Sequence, residues 1–150
     1  MKKIIILMLS FLCLCGCNLM TKDKIVKEYK KDGVVIEYSS NPNFGSMDDI
    51  INYRTTIVLF SDKTIKYTKG KNKAQIFKLT DDEYNEIINY AFGVSFSSLD
   101  NDVSDDSIMD GNHEAITIYY EDGTEKTIGG NNPTNKKFNK LVSLLYKYLD

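Results

Sequence analysis

An acidic stretch in the second half of the chain has the residue types that bind hard cations. Residues 100–110 read DNDVSDDSIMD and include five aspartates. Calcium takes about six to eight oxygen ligands, and an EF-hand loop needs Gly at its sixth position and Glu at its twelfth. A loop beginning at Asp100 would have Asp105 and Gly111 there, so we interpret the stretch as a solvated acidic loop and predict no metal site. The residues left as candidates for an ion site are Asp100, Asp102, Asp105, Asp106 and Asp110.

His113 is the single histidine of the chain. A histidine beside carboxylates can act as a general base or as a metal ligand. A catalytic triad needs a partnered nucleophile, however, and a zinc site needs further His or Cys ligands. The sequence supplies neither, so we interpret His113 as a surface residue where a loop meets a strand.

Residues 129–134, GGNNPT, combine two glycines and several amides just before a predicted helix. Helix N-termini bind anions through their free amide groups. The P-loop and Rossmann glycine patterns are both missing, so the expected structure is a simple strand-to-helix turn. The candidates for anion binding here are Gly129, Gly130 and Asn131.

Carboxylates are the only plentiful groups for acid–base catalysis in this sequence. They keep open a small hydrolase that depends on carboxylates, but no spacing singles out a catalytic pair. We therefore predict no catalytic residue and no cofactor.

The overall charge excludes one class of partner. Lys and Arg number 19 against 21 Asp and Glu, which gives a formal net charge of −2, and Arg54 is the single arginine. Nucleic-acid binding requires a clustered basic face, and arginine is favoured where phosphates are recognised by paired hydrogen bonds. We therefore predict no nucleic-acid partner.

The first seventeen residues predict where the protein goes. Lys2 and Lys3 precede an apolar run over residues 4–14, and Gly16 stands directly before Cys17. A helix needs about 20 apolar residues to span a bilayer, so this shorter run is typical of a secretion signal. All three cysteines lie at positions 13, 15 and 17. Removal of the signal before Cys17 would leave one cysteine and no possibility of a disulfide within the domain.

The run Leu14-Cys15-Gly16-Cys17 resembles the lipobox of bacterial lipoproteins, which ends a type II signal peptide. Leu14, Gly16 and Cys17 match the motif, while Cys15 fills a place usually held by another small residue. The resemblance implies cleavage before Cys17 by the lipoprotein signal peptidase and attachment of a diacylglyceryl group to the Cys17 sulfur. It thereby implies a lipid-anchored protein on the extracytoplasmic face of the cell membrane.

The C-terminal part of the chain carries a second resemblance. The stretch from the Asp122-Gly123 turn through residues 129–135 to Phe138 is similar to small, functionally uncharacterised lipoproteins of low-GC Gram-positive bacteria. This resemblance implies no activity and no site residues.

The chain is expected to divide into a signal peptide, a tether and one domain. Residues 1–16 are the predicted signal peptide, residues 17–32 the lipidated cysteine with a polar tether, and residues 33–150 the folded domain. The lysines of the tether either form a basic collar on anionic lipid headgroups or keep the tether solvated. They are Lys22, Lys24, Lys27, Lys30 and Lys31.

Hydrophobic periodicity predicts the elements of the domain. Alternating apolar residues predict strands, a polar stretch with Pro and Gly over residues 39–46 predicts a loop, and residues 48–52 predict a brief helical turn. The predicted strands cover residues 33–38, 53–60, 64–68, 74–79, 114–120 and 124–128.

Capping residues predict where the longer helices and one hairpin begin and end. Thr80 with Glu83 forms a predicted capping box for a helix that stops at Gly93. The pair Asn132-Pro133 is expected to start a second helix with a broad apolar face. Between them, Asp122-Gly123 predicts a type I′ hairpin turn.

These elements predict an α+β fold in a single domain. We expect an antiparallel sheet of about five or six strands with two amphipathic helices packed on one face. Residues 55–92 and 114–149 follow the same plan of strand, turn, strand and helix. An internal duplication would give two superposable halves, whereas unrelated hairpins would not.

Two classes of function fit the sequence. The first is a binding or interaction module, held by its lipid anchor and contacting an envelope or extracellular protein partner. The second is a small carboxylate-dependent envelope hydrolase. Two carboxylates that face each other across a cleft with raised pKa values would favour the hydrolase, and a splayed acidic loop would favour the binding module.

The lipobox interpretation predicts the effect of replacing Cys17 by Ser. The variant should keep its fold and be released or misprocessed. Without the Cys17 sulfur it cannot receive the two acyl chains, which together anchor a protein durably in a membrane. Cell fractionation and labelling with radioactive palmitate measure both effects. A Cys17→Ser protein that stayed membrane-bound and acylated would contradict the interpretation.

Overall fold

An open antiparallel sheet is the framework of the domain. The computed structural model describes residues 25, 27–43, 45–108 and 110–149. Its strands are β1 (Val34–Pro42), β2 (Thr55–Phe60), β3 (Thr64–Lys69), β4 (Gln75–Lys78), β5 (Asn112–Tyr119) and β6 (Glu125–Asn131). Their spatial order is β4-β3-β2-β1-β5-β6, and every neighbouring pair is antiparallel.

Helices join the strands and cover one face of the sheet. They are α1 (Met47–Tyr53), α2 (Asp81–Ala91), α3 (Val94–Ser97) and α4 (Lys136–Tyr146). The longer two, α2 and α4, each bury an apolar stripe and pack against each other over the sheet. The predicted α+β class is therefore confirmed, and α1 and α3 are short additions to it.

Alternation of side chains decides which face of the sheet is buried. In β2, Ile57 and Leu59 are at most 1% exposed, whereas Val58 between them is half-buried. The register pairs Tyr38 of β1 with Ile57 on one side and with Ile116 on the other. Paired residues point to the same face, so the three central strands present one continuous apolar layer to the helices.

The helix α2 follows its predicted pattern closely. The Thr80 hydroxyl accepts the Glu83 amide, and the Glu83 carboxylate accepts the Thr80 amide, as a capping box requires. The buried side chains, at spacings of three, one and three residues, form a single stripe of Tyr84, Ile87, Ile88 and Ala91. The helix is thus fixed at its start by capping and along its length by core packing.

The helix α4 begins later than the sequence predicts. Its N-cap is Asn135, not Asn132: the Asn135 Oδ1 accepts the amides of Lys137 at 2.9 Å and Phe138 at 3.3 Å. Asn132 has a φ of +48° in the preceding turn, where its Oδ1 accepts the Asn112 amide at 2.9 Å. Two asparagines compete for the same role, and the one with a positive φ cannot start the helix.

The β5–β6 hairpin is present, but its turn is not the predicted type I′. Such a turn needs positive φ at both central residues, and here Gly123 has a φ of +81° while Asp122 does not. The Gly123 amide donates to the Tyr120 carbonyl at 3.1 Å, and the Tyr120 amide donates to the Thr124 carbonyl at 2.9 Å. This is a three-residue loop that ends in a left-handed residue.

The two hairpins do not superpose, which argues against an internal duplication. The strands β2 and β5 run in the same direction on either side of β1 and bury the same face. Their return strands, β3 and β6, lie on opposite outer sides. If β5 is placed on β2 with the same strand direction and the same buried face, β6 falls on β1 and not on β3. The shared plan therefore belongs to two independent hairpins.

The sheet has two distinct ends. The hairpin end is the end of the sheet that carries the β2–β3 and β5–β6 turns. The helix end is the opposite end, where α1 follows β1. The predicted loop over residues 39–46 is shorter than expected, because β1 continues to Pro42. The predicted signal peptide, Cys17 and the start of the tether lie outside the described residues.

A close backbone approach fixes α1 at the helix end. Gly70, with a φ of +59°, donates its amide to the Arg54 carbonyl at 2.7 Å. A Cβ on Gly70 would lie 2.2 Å from the carbonyl oxygen of Asn52 in α1. Only glycine therefore allows the β3–β4 turn to rest against this helix.

Replacing Gly70 by Ala should destabilise the domain more than the same change at Gly123. Both positions have positive φ, which costs about 1–2 kcal/mol for an L side chain, but a Cβ on Gly123 meets nothing within 4 Å. We expect Gly70→Ala to lose about 1–3 kcal/mol more than Gly123→Ala because of the steric overlap. Urea unfolding of both variants measures the difference, and equal losses would show that α1 moves aside freely.

Candidate functional site

The acidic stretch lies along the outer edge of β6 instead of forming a free loop. The Val103 amide donates to the Gly129 carbonyl, and the Gly129 amide donates to the Asn101 carbonyl, both at 2.9 Å. The Asp105 amide donates to the Asn131 carbonyl at 2.8 Å. The structure thus brings the two predicted candidate sites together, through backbone pairing.

Two of the five aspartates are engaged in local turns. Asp102 accepts the Ser104 hydroxyl at 2.6 Å and the Ser104 amide at 2.9 Å. Asp105 accepts the Ser107 hydroxyl at 2.5 Å and the Ser107 amide at 3.0 Å. These hydrogen bonds, led by those from the serine hydroxyls, lower the pKa of both carboxyls below the usual range. Both aspartates are therefore charged acceptors that shape the backbone.

The carboxylates do not converge on an ion. Within residues 25, 27–43, 45–108 and 110–149, no group of three or more His, Cys, Asp or Glu side chains is close enough to hold a metal. Asp100, Asp106 and Asp110 are exposed. The stretch offers charge to solvent but no assembled set of ligands.

The glycines at 129 and 130 serve close packing. A Cβ on Gly129 would lie 2.4 Å from the Glu114 carbonyl oxygen, and a Cβ on Gly130 would lie 2.3 Å from the Ser104 Oγ. The Ser104 Oγ also accepts the Asn131 amide at 3.0 Å. Because the amides of Gly129 and Asn131 donate within the chain and lie in β6, they are not free for an anion at a helix N-terminus.

His113 lies at the helix end of the sheet, on β5. Its Nδ1 is 3.2 Å from the Asn131 Oδ1, which also accepts from the Asn43 Nδ2 at 3.2 Å. The side chain is exposed. An amide contact does not orient an imidazole as a base in the way that a hydrogen-bonded carboxylate does, so the position fits a surface residue at a strand start.

A tyrosine cluster at the core edge includes a buried carboxylate contact. The Tyr38 hydroxyl donates to the Glu114 carboxylate at 2.8 Å, and the Tyr146 ring lies 5.9 Å from Tyr38 and 6.3 Å from Tyr67. Burial, followed by the charge of Glu114, raises the pKa of the Tyr38 hydroxyl. The hydroxyl therefore stays protonated and acts as a fixed hydrogen-bond donor rather than as a nucleophile.

The described part of the predicted tether is folded onto the domain. In this entry segment, residues 27–31, the Lys30 amide donates to the Tyr119 carbonyl at 3.0 Å. The Glu28 carbonyl accepts the Glu121 amide at 3.1 Å. Just before it, Ile25 forms a bridge with Gly93. Sequence periodicity could not reveal this docking, because the segment is short and polar.

Charges and aromatic rings hold the entry segment at the hairpin end. Lys27 forms a salt bridge of 2.6 Å with Asp122 and lies 4.3 Å from the centre of the Tyr120 ring. Tyr29 packs against Tyr84 and Phe92, with ring centres 6.1 and 5.7 Å apart. Two of the lysines that could form either a basic collar or a solvated tether thus have partners within the chain, since Lys31 also pairs with Glu28 at 3.0 Å.

An open cavity of about 640 Å³ lies beside the entry segment. Phe92 and Tyr120 form its apolar floor, and the Lys126 Nζ on its wall donates to the carbonyls of Ser97 and Leu99 at 2.8 and 2.6 Å. The ammonium is held by the end of α3, so it braces the cavity wall. The other lining residues are Lys27, Val94, Ser98, Asn101, Thr124 and Glu125.

Comparison of the chain with protein-family models, curated proteins and solved structures finds no match. Within the part of the chain that the structure describes, the helices are too short or too polar to cross a membrane.

The Lys27–Asp122 contact predicts a pH-dependent contribution to stability. Hydrogen bonds from Lys27 and Thr124 lower the pKa of Asp122 from 3.8 to about 2. A carboxyl whose pKa is lower in the folded state stabilises that state at every pH above its unfolded pKa. This stabilisation is lost as the pH falls through the folded pKa. The melting temperature of Asp122→Asn should lie below that of wild type at pH 6, and the gap should close towards pH 2.

Asp106→Asn is the matched control for this measurement. It removes one carboxylate that makes no salt bridge with a described residue. We expect its gap from wild type to be smaller at pH 6 and to change little with pH. A gap for Asp122→Asn that stayed constant from pH 6 to pH 2 would contradict the ion pair.

Proposed function

We propose that the chain is a lipid-anchored lipoprotein on the extracytoplasmic face of the cell membrane. Its domain acts there as a binding module that contacts an envelope or extracellular protein partner through the helix end. The observation that carries this proposal is the separation of two features, the entry segment at the hairpin end and an exposed apolar helix at the helix end.

The entry segment supports an end-on attachment. Seven residues lie between Cys17 and Ile25, so a lipidated Cys17, eight chain steps away, would lie at most about 28 Å from the docked chain. Ile25 and residues 27–31 rest against the hairpin end. An anchor at Cys17 would therefore keep that end, with its cavity, nearest the bilayer.

The helix α1 supports a partner contact at the far end. Met47, Ile51 and Tyr53 are 73%, 43% and 66% exposed, and no residue of this helix is buried. The nine residues of β1 separate α1 from the entry segment, which corresponds to about 25–30 Å. Apolar and aromatic side chains are enriched where proteins bind one another.

The local structure of α1 suggests that its exposure is maintained. Ser46 and Asp49 form a capping box, with the Ser46 amide donating to Asp49 at 2.9 Å. A seven-residue helix without buried side chains is marginal by itself, yet this one is capped at its start and held by Gly70 at its end. Its apolar residues are presented in a fixed geometry.

The carboxylates support the binding module over the hydrolase. Asp102 and Asp105 have lowered pKa values, whereas a general acid at neutral pH needs a raised one. Both aspartates also lie on an exposed edge and bond to their own turns. Both therefore stay ionised at neutral pH, and neither is a general acid there.

Site-specific photo-crosslinking in intact cells tests the partner contact. A photoreactive amino acid at position 53 of α1 should give a discrete adduct, which Met47→Ala and Ile51→Ala together should reduce about tenfold or more, since anchor residues dominate binding. These side chains are exposed, so the melting temperature should stay unchanged.

Position 85 is the control for that experiment. Asn85 is exposed on α2 and not on α1, and should give no adduct of the same mass. Equal adducts at positions 53 and 85, or none at position 53, would contradict the proposed contact. Fractionation of the same cells reports separately on the anchor.

A further inference from the structure

We propose that the open face of the sheet is the interface of a homodimer whose two-fold axis runs along β2. The helices α2 and α4 cover the opposite face, and the side chains of the open face are half-buried or exposed. The residues on this face include Glu37, Thr56, Val58, Phe60, Lys66, Ile76, Lys78, Thr117, Tyr119 and Glu125.

Two opposite charges flank one apolar residue at the centre of the open face. The register places Glu37 of β1 beside Val58 of β2, and Val58 beside Lys66 of β3. Strands lie about 4.8 Å apart, so the Cα atoms of Glu37 and Lys66 are about 10 Å from each other. Neither forms a salt bridge with a described residue.

Symmetry converts this row into complementary contacts. A two-fold axis along β2 at Val58 turns a second copy face to face and exchanges its left and right sides. Lys66 of each copy then lies opposite Glu37 of the other, while Val58 and Phe60 meet their own counterparts on the axis. Such a contact is isologous, as in most dimers.

The charges also select this axis against the other possible one. An axis across the strands would set Lys66 against Lys66 and Glu37 against Glu37, which repel. Only the axis along β2 joins opposite charges. It also leaves the hairpin ends of both copies on the same side, so that two lipid anchors could enter one bilayer; this last point alone rests on the proposed function.

The size of the face suits a weak dimer. Five to six strands span about 25 Å, and six residues of a strand span about 20 Å. Two such faces bury on the order of 1,000 Å² in total, near the lower limit for a specific interface. We therefore expect dissociation in the micromolar range.

Cysteine crosslinking of the full-length protein, purified in non-ionic detergent, tests the dimer. A short bis-maleimide should join two copies of Val58→Cys but not of Lys140→Cys, because Lys140 is exposed on α4 and the helices face away. Wild type is the control for native thiols. Crosslinking of wild type would show that Cys17 is not lipidated. That result would count against the anchor but not against the dimer.

Charge reversal makes the test specific. In the Val58→Cys background, Lys66→Glu and Glu37→Lys should each reduce crosslinking about tenfold, because each sets like charges opposite each other. The double reversal should restore it, which separates the effect from misfolding. The dimer is ruled out if Val58→Cys gives no crosslink at about 100 µM, a concentration at which an interface of this size should be occupied. It is also ruled out if the single charge reversals leave crosslinking unchanged, or if the double reversal fails to restore crosslinking.

Discussion

Pairing of β1 on both sides is the interaction on which the rest of the domain depends. An isolated two-stranded hairpin is marginally stable in water, and three strands with an apolar face are needed. Here β1 supplies the third strand to the β5–β6 hairpin and joins that hairpin to the strands β2, β3 and β4. Ile36 lies between Leu59 and Ile118, and Tyr38 lies between Ile57 and Ile116. Without β1 the β5–β6 hairpin would lose its neighbouring strand, and the layer on which α2 and α4 pack would be divided in two.

The same strand gives the molecule its direction. Because the chain enters β1 from the hairpin end, residues 27–31 can dock only there, against Tyr119 and Tyr120. The chain leaves β1 at the opposite end and forms α1 before it returns. The contrast between a charged, docked entry and an exposed apolar helix is thus a consequence of one extended strand, and it gives the proposed anchor and the proposed partner contact opposite ends of the sheet.

Sequence periodicity predicts the parts of this fold in which burial alternates regularly. The strands β2 and β5 and the helix α2 have such patterns, and their buried residues follow the same period. Residues 27–31 and 101–105 pair through backbone amides and carbonyls, which leave no periodic trace in the side chains. The start of α4 was mispredicted for a different reason: Asn132 and Asn135 have equal capping chemistry, and only the backbone around them distinguishes the two.

A sequence signal within the candidate ion site indicates the structural role of its aspartates. In four places an aspartate is followed two residues later by Ser or Thr, at Asp62, Asp102, Asp105 and Asp122. In each, the carboxylate accepts both the amide and the hydroxyl of that residue, and its pKa is lowered. This is local turn chemistry. Two of these units lie at hairpin turns and two in the acidic stretch, so the aspartates of that stretch have the same structural role as those of the hairpins. A carboxylate already bonded to its own turn has less freedom to converge on an ion. The acidic stretch therefore lies along the edge of β6, and its described carboxylates do not assemble into a set of metal ligands.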